Sequence, residues 1–283
     1  MKQKNIAMAA IALSMMACTS RTNPFLTEWT TPYGIPPFDQ IETTDYLPAI
    51  EAGIEQQDKE IEAIVKNSEA PTFENTVAPL ELSGETLRKV SGVLYNVSET
   101  DRTDELDSVM EAAIPLLSEH SDNISFNKDL YDRIAALYNG DQSSLTREQQ
   151  MVLKQYYEDF VRNGVGLPKD KQDELRQINT EMAAKTQKIS NNILAESNAF
   201  KEEFGMSVSD YPNAMTNTED RSLREKVLKV YTMRGNNNNE NDNKQLALDV
   251  MKLRIQKSKI MGYKSPAEYI LAEKMAHDPE TVD

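Results

Sequence analysis

Residues 169–203 contain neither glycine nor proline, and they repeat apolar side chains at helical spacing: Leu175, Ile178, Met182, Ile189 and Ile193. Such a run reads as a single helix of about nine turns. Pro168 fits its first helical position, where the missing N–H is not needed. A helix of that length packs as one arm of an antiparallel pair. No segment elsewhere alternates as a strand, so the chain is expected to be all-α.

The other segments agree. Asp45 is placed to cap a helix carrying Leu47, Ile50, Ile54, Ile61, Ile64 and Val65. In residues 71–84, P-T-F-E-N-T-V-A-P-L-E-L-S-G, side-chain oxygens on Thr72, Asn75 and Thr76 can satisfy a first helical turn, and Pro79 is tolerable only near a helix start. The helix from about Phe73 then carries Leu80, Leu87, Val90, Leu94 and Val97. Further helices are expected over residues 105–119 and 128–138. Thr146-Arg-Glu-Gln149 and Ser265-Pro-Ala-Glu268 have the form of capping boxes, the first opening a helix that runs to Arg162. Residues 205–217 read as a breaker, 219–234 as helix, Gly235 with Asn236 to Asn239 as an exposed loop, and 242–261 as a helix stopped by Gly262. Residues 19–44 should form an extended strap that pins Phe25, Leu26, Trp29 and Phe38 to the body.

A formal net charge of −15 argues against nucleic acid, which needs clustered Lys and Arg. The single cysteine, Cys18, excludes an intrachain disulfide. Its surroundings carry more information. Lys2 and Lys4 form a positive n-region, and residues 6–17 an apolar stretch too short to span a bilayer. With the small Ala17 before Cys18, this looks like the lipobox of bacterial lipoproteins. That resemblance implies a signal peptide over residues 1–17 and a lipidated Cys18. It also implies a membrane anchor, in the outer membrane facing the periplasm; an ordinary secretory leader and a soluble periplasmic protein are the alternative.

No residue is assigned a catalytic role. Neither His120 nor His277 begins H-E-x-x-H, which sets two zinc ligands one turn apart around a glutamate base. No glycine-rich phosphate loop or G-x-S-x-G turn occurs. Both histidines are expected at helix ends with structural or surface roles. Glu202-Glu203 and Glu219-Asp220 read as helix-end charges.

Several runs, taken in order, resemble the amino-terminal half of the M3 zinc metallopeptidases, most closely the peptidyl-dipeptidase branch. They are N-P-F at 23–25, I-P-P-F-D-Q-I at 35–41, Y-L-P-A-I-E at 46–51, P-T-F-E-N-T at 71–76 and L-E-L-S-G at 80–84. After these come F-x-R-x-G at 160–164, D-R-S-L-R-E-K at 220–226, D-N-K at 242–244, L-R-I-Q-K-S-K-I-M-G-Y at 253–263 and A-E-Y-I-L-A-E-K-M-A at 267–276. The resemblance implies a helical, two-lobed peptidase with a central channel that admits short oligopeptides and releases carboxy-terminal dipeptides. A helical amino-terminal domain would occupy 45–204, and 205–283 would lead into a catalytic domain. The zinc ligands would lie beyond Asp283, so this chain alone is expected to be inactive. The connection between Phe200 and Arg221 looks short for that family. The start of a helix at Asp278-Pro-Glu, with little chain after it, suggests a fragment. The alternative is a non-catalytic helical lipoprotein that binds peptides or protein partners.

Overall fold

The computed structural model describes residues 21–283, so the lipidation expected at Cys18 lies outside the described residues. Among those described, there is helix and no strand, as the apolar periodicity implies. The strap contains three 3-10 turns, at Pro24–Leu26, Pro32–Gly34 and Thr43–Asp45. After it come α1 (Tyr46–Val65), a π-helical turn (Phe73–Val77), α2 (Ala78–Leu82), α3 (Glu85–Thr100), α4 (Asp104–Ser125), α5 (Lys128–Tyr138) and α6 (Arg147–Asn163). The chain continues through α7 (Lys169–Phe204), α8 (Tyr211–Asn217), α9 (Arg221–Thr232), α10 (Lys244–Ile260), α11 (Pro266–Leu271) and α12 (Pro279–Val282).

Two apolar cores share α1. Phe25 of the strap meets Tyr46, Ile50, Leu94, Met110 and Ala113 from α1, α3 and α4. On the other side, Ile64 and Val77 meet Leu130, Ile134, Leu153 and Phe160 from α5 and α6. The strap holds only two of the four side chains expected of it. Phe25 is buried and Trp29 packs against the first core, donating its indole N–H to Pro24 O at 3.0 Å. Leu26, at the end of the first turn, and Phe38, in the hydrogen-bonded turn that follows Pro36 and Pro37, are 48% and 56% exposed.

Asp45 does not cap α1. Its carboxylate accepts from Arg21 Nη2 at 2.6 Å and from the Glu42 N–H at 2.7 Å, which ties the strap down instead. Thr72 does cap, accepting the Asn75 N–H at 3.1 Å while Asn75 Oδ1 takes the Thr72 N–H. The helix it opens stops at Leu82 rather than running to Val97. Gly84 takes φ +69°, and its N–H donates to Glu60 Oε2 at 2.8 Å. A Cβ there would lie 2.5 Å from the Gln57 amide, so the break is clamped by α1 and open only to glycine.

The long helix forms as a single element. Gly205, at φ +65°, ends it. α7 lies between two antiparallel partners: Asp122 of α4 bonds Asn179, while α10 meets it at Asn192–Asn243, Lys185–Asp249 and Asn179–Lys257. Its buried line differs from the expected stripe. Leu175 and Ile178 are buried, Met182, Ile189 and Ile193 are half-buried, and Asn192, Glu196 and Phe200 fill the rest. Glu196 explains why. Its carboxylate accepts from the Gly235 N–H and from the Asn237 and Asn239 amides at 3.0 and 2.8 Å, so the asparagine loop is fastened to α7. Burial opposes its charge, but those three donors hold the carboxyl below its usual range.

Residues 205–217 are not a plain breaker. Ser207 and Asp210 form a capping box over a 3-10 turn, and α8 follows directly. The Thr146–Gln149 box is present as expected. At α11, Ser265 accepts the Glu268 N–H at 3.1 Å, but Glu268 turns to the Lys264 N–H rather than closing the box. No helix among the described residues is long and apolar enough to cross a membrane.

Candidate functional site

A cleft of about 950 Å³ opens where α3, α4, α7, α10 and α11 converge. α7 gives it a floor of Asn179, Met182, Ala183, Thr186 and Gln187, successive turns of one face. Tyr95 of α3 and Ile114 of α4 form one side, Arg254 and Lys257 of α10 another, and the face of α11 from Pro266 to Leu271 the third. Its size is that of a small-ligand or peptide pocket.

α11 is short, and it keeps its place through Arg162 at the end of α6. That guanidinium donates to Tyr269 O at 2.6 Å, lies 4.6 Å from the Tyr269 ring centre and pairs with Glu273. The Tyr269 hydroxyl donates back to Arg162 O at 3.2 Å.

One wall carries a polar relay across three helices. Asn179 Nδ2 donates to Asp122 Oδ1 at 2.7 Å, and Lys257 Nζ donates to Asn179 Oδ1 at 2.9 Å. Asp122 is buried, and its Oδ2 has no partner among the described residues. Burial pushes its carboxyl upward, opposed by the Asn179 bond and by Arg176 and Lys257. Burial pushes the Lys257 ammonium below the usual lysine range, opposed by Asp122. The relay fixes the Asn179 amide orientation and aims a cation at the cleft. None of these residues stands out singly in the sequence. The available signal is an absence: Arg254 and Lys257 have no acid three or four residues away, unlike Lys59, Lys66 and Lys229, each paired at that spacing.

The two histidines are far from this role. His120 is not at a helix end, because α4 continues to Ser125; it is 4% exposed and faces α1. Its Nε2 meets Gln57 Oε1 at 2.8 Å, while Gln57 Nε2 donates to Ser83 Oγ at 3.0 Å, so Nε2 carries the proton. Nδ1 then faces Asp58 Oδ1 at 3.4 Å. His277 is exposed at φ +65° in the turn before α12, after α11 has ended at Leu271. Glu203 pairs with Lys226 at 2.7 Å and Asp220 caps α9, as helix-end charges do. Among the described residues no three His, Cys, Asp or Glu side chains converge as a metal site.

His120 gives a pH dependence of known sign. Burial lowers its pKa from 6.5, with Asp58 opposing, so the unfolded chain takes up the proton first as pH falls. The stability it supports is complete above that value and is lost on acidification. The urea midpoint should fall between pH 7 and pH 5, and His120→Asn should flatten that fall. An equal slope in both proteins would contradict the assignment.

Two family models match the chain in order. "Neurolysin/Thimet oligopeptidase, N-terminal domain" covers residues 49–172, and "Peptidase family M3" covers 214–283. The dipeptidyl carboxypeptidase of Escherichia coli is 28% identical over 91% of this chain and 43% of its own length. Oligopeptidase A of Haemophilus influenzae is 27% identical over 93% and 43%, and the organellar oligopeptidase A of Arabidopsis thaliana 26% identical over 91% and 37%. The chain thus spans less than half the length of the curated relatives it matches.

Proposed function

We propose, from the premise that the chain belongs to the M3 peptidase family, that it supplies one helical wall of a chamber in which short peptides are hydrolysed. The observation that carries this reading is the order of the two family matches, an oligopeptidase amino-terminal domain followed by the peptidase family proper. The cleft floored by α7 takes Tyr95 and Ile114 from the first matched segment and α10 and α11 from the second, and it is the surface that would meet substrate.

The hydrolytic groups belong to the part of such a peptidase that this chain does not include. A catalytic zinc, if held there, would supply Lewis-acid polarisation of the scissile carbonyl. The present residues bind and orient the peptide and restrict access. By themselves they should hydrolyse nothing. The similarity to a dipeptidyl carboxypeptidase favours release of carboxy-terminal dipeptides from oligopeptides. The Lys2/Lys4 leader and Ala17-Cys18 favour export and acylation of Cys18, with the enzyme held at a bacterial outer membrane.

Reading the gene past the codon for Asp283 tests the proposal. An in-frame continuation containing H-E-x-x-H is expected. A stop codon at that point, or a continuation without the motif, overturns it.

A further inference from the structure

The chain has 46 acidic and 31 basic residues, yet no aspartate or glutamate lines the 950 Å³ cleft. Two cations do. Arg254 and Lys257 lie three residues apart on α10, and neither forms an ion pair among the described residues. Lys257 has one hydrogen-bond partner there, Asn179 Oδ1, although an ammonium carries three donors. An incompletely partnered cation held at a buried wall is costly unless an anion arrives to meet it. The rest of the lining is mostly apolar, with Ile114, Met182 and Leu271, and its polar side chains, Asn179, Thr186 and Gln187, carry no charge.

We propose that this cleft holds the free carboxylate end of a short peptide with apolar last side chains, Lys257 and Arg254 receiving the carboxylate. Lys257 is the point charge, set in place by Asn179 and, behind it, Asp122. Arg254, on the exposed rim, supplies the second set of donors, and its planar fork suits a carboxylate. The apolar walls take up the side chains preceding the terminus. This assignment rests on the peptidase reading and names the end of the substrate that this wall would grip.

The test is calorimetric titration of the 283-residue chain with N-acetyl-Ala-Ala-Leu-Phe as free acid and as amide, at pH 7 and low salt. Acetylation leaves the acid with a single charge, so the pair differs only at the carboxylate. The acid should bind at least about tenfold more tightly, the effect of one charge-assisted hydrogen bond. Lys257→Met should erase the preference, and Arg254→Gln should reduce it. The acid–amide comparison needs no variant, and Arg254 is exposed, so a folding defect in Lys257→Met leaves the result readable. Equal binding of acid and amide overturns the proposal, as does an acid preference that survives both substitutions. Failure of both peptides to bind overturns it too. None of these outcomes bears on the continuation of the reading frame, which decides the peptidase reading separately.

Discussion

Phe200→Ala is expected to cost about 3–5 kcal/mol, the range for removing a fully buried aromatic ring. Phe200 is 0% exposed in the last turns of α7. Its ring centre lies 4.8 Å from that of Phe204 and 6.3 Å from that of Tyr231 on α9, and Tyr231 in turn stacks on Tyr211 of α8 at 3.8 Å. Alanine therefore removes the buried aromatic contact between α7 and the two following helices, leaving the Glu203–Lys226 pair and the Arg234–Ser197 bond to hold them. Phe200 belongs to neither of the two cores that share α1. The lone tryptophan, Trp29, sits on the first of those cores. Urea unfolding followed by far-ultraviolet circular dichroism and by Trp29 fluorescence should therefore lose coincidence in the variant, with the dichroism moving to lower denaturant first. A total loss below about 1 kcal/mol would show that the ring is not the anchor its burial implies.

The features legible in the sequence are those set by neighbours along the chain. The Thr146–Gln149 box, the bounds of α5, the unbroken α7 and the stop at Gly262 each depend on residues within one or two turns. The misread features depend on contacts between distant segments. Nothing local says that Asp45 will be engaged by Arg21, that Gly84 will be clamped by Glu60, or that a glutamate on α7 will gather a loop of asparagines. α8 is the exception, since S-x-x-D at Ser207–Asp210 was a readable helix start. The cleft was hidden for the same reason as the misread contacts. Asp122, Asn179 and Lys257 read as ordinary polar residues on three separate helices, and only antiparallel packing of α4 and α10 on α7 joins them. The resemblance to the M3 peptidases, by contrast, rests on short runs scattered along the chain and survives in order even where helix boundaries are misjudged.

Gly53→Leu should be about as damaging at the other end of the molecule, costing about 3 kcal/mol or more by overpacking. Gly53 lies in the middle of α1, where glycine is ordinarily about 1 kcal/mol worse than alanine. The structure explains its use. A Cβ there would sit 2.9 Å from the Leu87 amide nitrogen and 3.0 Å from its Cα, so α1 and α3 meet backbone to backbone at this point. A backbone cannot rotate aside as a flexible side chain can, so the helices must separate and the packing of Ile50, Val90 and Leu94 loosens with them. Gly53→Ala separates the two effects, because it gains helix propensity while introducing the same clash. If the close approach dominates, Gly53→Ala also destabilises, and Gly53→Leu more so, with Trp29 fluorescence and circular dichroism now shifting together because the strap rests on this core. If propensity dominates, Gly53→Ala raises the midpoint instead, and the contact between α1 and α3 is looser than its geometry states.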